Sequence, residues 1–158
     1  LATAQSEHEQ LIHKLGGQQT AILLLKDSTI IRVESIVLFE TGSALIKPTA
    51  QSALNIIGEW LEKYPNRNIR IDGHTDDRRI GQDLSQQYPS NWELSVARAE
   101  AVKHFILTTH PDVAHERVIA LGRGSNHPIA TNATEFGRQK NRRVEFFLTP
   151  RKDPNILK

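Results

Sequence analysis

Asn68-Ile69-Arg70-Ile71-Asp72-Gly73, continuing into His74-Thr75-Asp76-Asp77, decides how this chain folds. Ile69 and Ile71 fall on one side and Arg70 and Asp72 on the other, the period-two alternation of a half-buried strand. On its N-terminal side Pro48 suits a first helical turn. Ala50, Leu54, Ile57 and Leu61 then recur at helical spacing until Pro65 stops the run. On its C-terminal side Ser90-Asn91-Trp92-Glu93 has the pattern of a capping box, and Leu94, Ala97, Ala101 and Phe105 mark one face of a second helix.

Further out, residues 5–15 read as a short amphipathic helix built on Leu11, Ile12 and Leu15. Ala21–Leu25 and Thr29–Val33 flank the turn Lys26-Asp27-Ser28 as a hairpin, with Val37 to Phe39 extending its second arm up to Thr41-Gly42-Ser43. Arg117–Leu121 reads as a short strand closed by Gly122, and Thr134–Lys140 as a brief helical turn. In the last strand Val144, Phe146 and Leu148 alternate with Arg143, Glu145 and Phe147. The order helix, hairpin, helix, strand, helix, strand, strand predicts an α+β two-layer sandwich with helices on one face of a mixed β-sheet. Residues 1–28 form a linker helix and first strand, 29–150 the domain proper and 151–158 a C-terminal tail.

The 158 residues suit one domain, and 38% hydrophobic with 24% charged residues excludes a disordered or fibrous chain. Twenty basic side chains against 18 acidic ones leave a formal charge of +2, too even for a surface that binds nucleic acid or membrane as a whole. The absence of cysteine excludes disulfides, thiolate zinc sites and a cysteine nucleophile. No run of about 18 apolar residues is present to span a bilayer, and no signal peptide is visible. The chain starts at Leu1 and contains no methionine, so a processed or truncated product is expected, and removal of an anchor or targeting segment is compatible with that start.

Three polar clusters stand at the ends of these elements: Gly73-His74-Thr75-Asp76-Asp77, Asn91-Trp92-Glu93-Leu94-Ser95 with Arg98-Ala99, and Asn141-Arg142-Arg143-Val144-Glu145. The first follows a strand, where loops carry ligand sites, and the second opens a helix with free N–H groups. Arg98 follows Asn91 by two helical turns on the same face. A guanidinium can hold a carboxylate by two prongs, and an aspartate can accept hydrogen bonds from an ammonium. Together they suit a zwitterion.

Gly-His-Thr-Asp, Asn-x-x-Leu-Ser-x-x-Arg-Ala and Asn-Arg-Arg-Val-Glu, in that order, resemble the signature of the OmpA-like peptidoglycan-binding domain, from about Val37 to Leu148. The resemblance implies an OmpA-C-like βαβαβ core, here with an N-terminal helix and hairpin extension, that binds diaminopimelate of the stem peptide without catalysis and without a cofactor. It implies Asp76 for the ammonium and Arg98 for the carboxylate. Thr75, Asp77, Asn91, Leu94 and Arg142 would line the groove, with Phe39 and Thr41 from the end of the first strand. The thirteen residues between Asp77 and Asn91, ending in Tyr88-Pro89-Ser90-Asn91-Trp92-Glu93, resemble the branch containing the flagellar stator protein MotB and its relatives. Gly122-Arg123-Gly124 and Asn132-Ala133-Thr134-x-x-Gly137-Arg138 also occur in wall anchors of type VI secretion. A MotB-like origin implies a periplasmic homodimer whose membrane helix and membrane partner subunit lie outside this chain. A secretion-system anchor, or an outer-membrane lipoprotein or porin tether, is the alternative.

Other chemistries weigh less. His74, Asp76 and Asp77 could suggest a metal, but three close ligands in one loop seldom converge, and His74 is expected to pack at the strand end. An Asp76–His74–Ser95 triad or an Asp76–Asp77 carboxylate pair lacks a nucleophile elbow, and adjacent carboxylates diverge. Arg138, Lys140, Arg142 and Arg143 could suggest nucleic acid, but Glu135 and Glu145 offset them and no aromatics interleave. Arg142 is expected to face the groove and Arg143 the solvent. Trp60 and Trp92 are expected to pack, with Trp92 bordering the groove.

Overall fold

Ile69 and Ile71 lie in strand β3, Arg67–His74, of a five-stranded sheet ordered β1-β2-β5-β3-β4. The other strands are β1 (Ala21–Leu24), β2 (Thr29–Glu34), β4 (Val118–Gly122) and β5 (Arg143–Pro150). The computed structural model describes residues 4–16, 20–24, 28–80 and 88–151. The turn residues Lys26 and Asp27, part of the long loop after Asp77 and most of the tail therefore lie outside the described residues. β3 and β4 run parallel and every other pairing is antiparallel, the mixed sheet expected.

The register places Ile31 and Val33 beside Phe146 and Val144, which in turn face Ile71 and Gly73. That face is the core: Ile31, Ile71, Val144 and Phe146 are fully buried. It is covered by α3 (Gln51–Lys63) and α4 (Asn91–Thr109), and α1 (Ala4–Leu15) packs on α3. The predicted stripe Ala50, Leu54, Ile57 and Leu61 is buried throughout. Trp60 packs as expected and donates Nε1–H to the Glu7 carbonyl at 3.1 Å, tying α1 to α3.

The structure differs from expectation in three places. Val37 to Phe39 does not extend β2: Ser35–Leu38 forms one helical turn, α2, and Phe39 makes only a lone bridge with Ile46. Leu38 and Phe39 are both about 1% exposed. The turn is fixed at its start by the Ser35 N–H, which donates to the Arg142 carbonyl at 2.8 Å, and Phe39 leaves it in extended backbone. On α4 the buried stripe is Leu94, Ser95, Arg98, Ala99, Val102 and Ile106, while Ala101 and Phe105 flank it, half-buried. Small residues face the sheet because the helix lies very close to it.

That closeness comes from two glycines. Gly73 and Gly122 are paired across β3 and β4. A Cβ on Gly73 would stand 2.3 Å from the Ser95 carbonyl oxygen, and one on Gly122 would stand 2.3 Å from Val96 Cγ2.

The third difference is Arg143, which is 3% exposed rather than solvated. β5 is the central strand, and the segment around His127 covers this end of the sheet's other face. Arg143 donates to the His127 carbonyl at 2.9 Å and the Asn141 carbonyl at 3.1 Å. Beside it Glu145 takes Arg32 and lies 3.2 Å from His74 Nε2. Burial alone would raise the Glu145 carboxyl, but hydrogen bonding with His74 and Arg32 and the charge of Arg143 outweigh it and bring it down to about 2.

Candidate functional site

At the end of β3 the chain turns sharply, and the turn is secured from three sides. The Thr75 N–H donates to the Gly124 carbonyl at 2.8 Å, and the Thr75 hydroxyl to the Asp76 carbonyl at 2.8 Å. Asn91, the first residue of α4, donates Nδ2–H to the Arg78 carbonyl at 2.8 Å and the Asp76 carbonyl at 3.3 Å. α4 starts there because Ser90 caps it, accepting the Trp92 N–H at 3.2 Å while its hydroxyl meets Glu93.

Asp76 thereby enters a groove of about 450 Å³. Phe39, Thr41 and Gly42 form one side, and Asn91, Leu94 and Arg98 of α4 another. A third side comes from Glu135 and Arg142, at the two ends of α5, Glu135–Asn141. The fourth holds Arg78 and Arg79. Seven expected site residues therefore meet: Phe39, Thr41, Asp76, Asn91, Leu94, Arg98 and Arg142. Thr75 is buried behind Asp76, and Asp77 is exposed beside an adjoining hollow with Pro89 and Ser90. Trp92, 52% exposed, does not line the groove.

Arg98 is the most unusual group. It is 7% exposed, donates Nε–H to the Ser43 carbonyl at 2.9 Å, and stacks its guanidinium 5.1 Å from the Phe39 ring centre. Among the described residues it forms no ion pair. Burial pulls its pKa down to about 10, with Tyr88 and Asp76 opposing and Arg142 adding to the fall. A desolvated cation with no carboxylate against it is costly, and an incoming anion relieves that cost.

Asp76 has both oxygens engaged. Oδ1 accepts the Arg78 N–H at 3.0 Å and Oδ2 accepts Arg142 Nη1 at 2.6 Å. The other arm of Arg142 reaches the Glu135 carboxylate. Burial alone would lower the Arg142 pKa, but Glu135 and Asp76 outweigh it and raise it. Glu135 is exposed, and its hydrogen bonds from Arg142 and Arg138 lower its carboxyl. Sequence reasoning missed Glu135, although its place two helical turns before Arg142 is a signal that both lie on one helix face. It also missed Glu40 and Arg78, whose loop positions carry no period.

Among the described residues, the side chains singled out for other chemistries do not converge. His74 turns toward Glu145 on the far face of the sheet while Asp76 lines the groove and Asp77 faces solvent, so the three diverge. Ser95 is buried, donating to the Trp92 carbonyl at 2.7 Å and accepting the Gly124 N–H at 3.0 Å. Arg138, Lys140 and Arg142 are paired with Glu135, Glu34 and Asp76, and Arg143 is buried.

The fold and groove define an α+β domain of the OmpA-C-like and MotB periplasmic type. The chain belongs to the OmpA family, whose profile matches residues 38–142. It is 34% identical to motility protein B of Bacillus subtilis over 143 residues, covering 90% of this chain and 51% of that protein. The chain thus spans about half the length of curated relatives it matches. A putative MotB-like protein from Desulfovibrio vulgaris superposes with a TM-score of 0.85 at 26% identity, covering 94% of each chain. The cell wall anchor of the type VI secretion system from Pseudomonas aeruginosa superposes at 0.78 and 32% identity, covering 89% of this chain and 95% of that one. Among the described residues no helix is long and apolar enough to cross a membrane.

Proposed function

We propose that this groove binds peptidoglycan without catalysis, taking the amino-acid end of a diaminopimelate side chain in the stem peptide. The ammonium would meet Asp76 and the carboxylate Arg98, with Phe39 and Leu94 against the methylenes and Asn91 holding the turn. The observation that carries this reading is the buried Arg98, in no ion pair among the described residues, in the same groove as Asp76. Each charge-assisted hydrogen bond contributes about 1.5–3 kcal/mol, so one stem peptide binds weakly. Many identical sites on a polymeric wall, and a second copy of the domain in a dimer, raise the effective affinity.

The whole protein is then a periplasmic wall anchor for an inner-membrane machine, with a stator-type energiser as the first reading because of the MotB likenesses. The likeness to a type VI cell wall anchor favours a secretion system as the second. Co-sedimentation with purified sacculi tests the binding. Asp76→Ala and Arg98→Ala are expected to stay in the supernatant while the wild type pellets, with no soluble muropeptide released. Equal pelleting by all three proteins would reject the site.

A further inference from the structure

The groove is already occupied by one of its own side chains. Arg142 spans Asp76 and Glu135, and its 2.6 Å contact covers the oxygen of Asp76 that an ammonium would use. Counting the four inner charges, Asp76 and Glu135 balance Arg98 and Arg142, so the groove is neutral as built. Arg78 and Arg79 outweigh Glu40 at the rim and leave the lining slightly positive. An amine entering alone would displace Arg142 from Asp76 and leave two guanidinium groups facing it. A ligand with ammonium and carboxylate on one carbon brings its own partner for them.

We propose that Arg142 sets the specificity of the groove by ion-pair exchange. The ligand ammonium replaces Arg142 on Asp76, and the ligand carboxylate then sits between Arg98 and the released arm of Arg142. Glu135 is the positioning residue in this exchange. It keeps hold of the second arm, so that Arg142 stays at the rim when it leaves Asp76. Arg142 disfavours the charge of Arg98 across the groove, and one carboxylate between the two guanidinium groups relieves that repulsion. The inference rests on the proposed ligand. It adds that selection against bare amines comes from a contact within the protein.

The test is a titration followed by NMR chemical shifts with meso-2,6-diaminopimelate and with 1,5-diaminopentane, the same carbon chain without carboxylates. The wild type is expected to prefer diaminopimelate by at least about tenfold, the discrimination that one charge-assisted contact supports. In Arg142→Gln nothing competes for Asp76, so diaminopentane should bind about threefold tighter or more while diaminopimelate weakens. These opposite directions separate exchange from a simple lining role, in which both ligands weaken. Arg142→Lys keeps the charge and should keep the discrimination. Glu135→Gln hands Arg142 wholly to Asp76 and should weaken both ligands in the wild-type background but have no effect once Arg142 is Gln. Diaminopentane binding that is unchanged or weaker in Arg142→Gln would overturn the exchange. Failure of the wild type to bind either ligand would instead remove the proposed function itself.

Discussion

Gly73 and Gly122 stand side by side across the parallel β3–β4 pair, and the Ser95–Val96 turn of α4 rests directly on them. This contact sets the height of α4 above the sheet, and with it the position of Arg98, one turn further along, relative to Asp76 at the end of β3. Gly73→Ala places a methyl group 2.3 Å from a backbone oxygen, which no rotamer change relieves. The variant is expected to lose about 1–3 kcal/mol in urea unfolding, the usual penalty of overpacking. It should also bind sacculi less well than its remaining folded fraction accounts for, because Arg98 is lifted away from Asp76. Full binding by the folded protein would show that α4 adjusts without moving the site.

Arg98 is predicted to cost the fold something that function requires. Its pKa falls below the ordinary guanidinium value, to about 10, because burial disfavours the charged form. A base whose folded value lies below its unfolded one destabilises the fold at every pH below the folded value, so the penalty is present throughout the physiological range. Its carbonyl contact and its stacking on Phe39 offset part of it. Arg98→Met keeps the length and apolar stem. Its thermal midpoint should equal or exceed that of the wild type while sacculus binding is lost. A large drop in midpoint would mean that the Ser43 contact outweighs desolvation.

Acid sensitivity should trace to the far face of the sheet. The Glu145 carboxyl, brought down to about 2, lies below its ordinary 4.5. A depressed carboxyl contributes stability that is present above its unfolded value and lost as the pH falls through its folded value. The window is therefore from about 4.5 down to about 2. Urea midpoints measured across that range should fall for the wild type. Glu145→Gln, which leaves Arg32 and Arg143 without their shared carboxylate, should start lower at neutral pH and fall less steeply. Parallel curves for the two proteins would assign the acid limb to other carboxylates.

Much of this architecture is legible in the sequence because it is periodic. Ile69 and Ile71, or Leu54, Ile57 and Leu61, announce their faces by spacing alone. The candidate site is legible where its residues stand at element ends, as Asp76 and Asn91 do, or two turns down the same helix face, as Arg98 does. What was missed depends on partners distant in sequence. Ser35–Leu38 has the β-branched look of a strand, yet it forms a helical turn whose Ser35 N–H bonds the Arg142 carbonyl from the far end of the chain. Arg143 looks like a surface cation until the strand order makes β5 central and the His127 segment closes over it. Arg142 was expected to line the groove, but its span between Asp76 and Glu135 needed the third dimension.

Asn141 offers the last prediction, because it connects the packing of α5 to the placement of Arg142. It is fully buried, and its amide is saturated: Oδ1 accepts the N–H groups of Ile129 and Ala130, and Nδ2 donates to the Ala130 carbonyl and to Asn132 Oδ1. No other side chain of that size offers both two acceptor sites and two donors. Asn141→Ala leaves those part-buried backbone groups without their partner, at a cost of about 1–3 kcal/mol for each group that water fails to reach. Asn141→Asp keeps the shape and the two accepted bonds but sets an oxygen against the Ala130 carbonyl and buries a charge. It should therefore unfold more easily than wild type at pH 7, and recover part of the difference as the pH is lowered and the carboxyl takes up a proton. Chemical denaturation of both variants at two pH values checks this. An Asn141→Asp protein as stable as wild type at pH 7 would mean that the Ala130–Asn132 segment turns away at little cost. In that case Arg142 must be held in the groove by Asp76 and Glu135 alone.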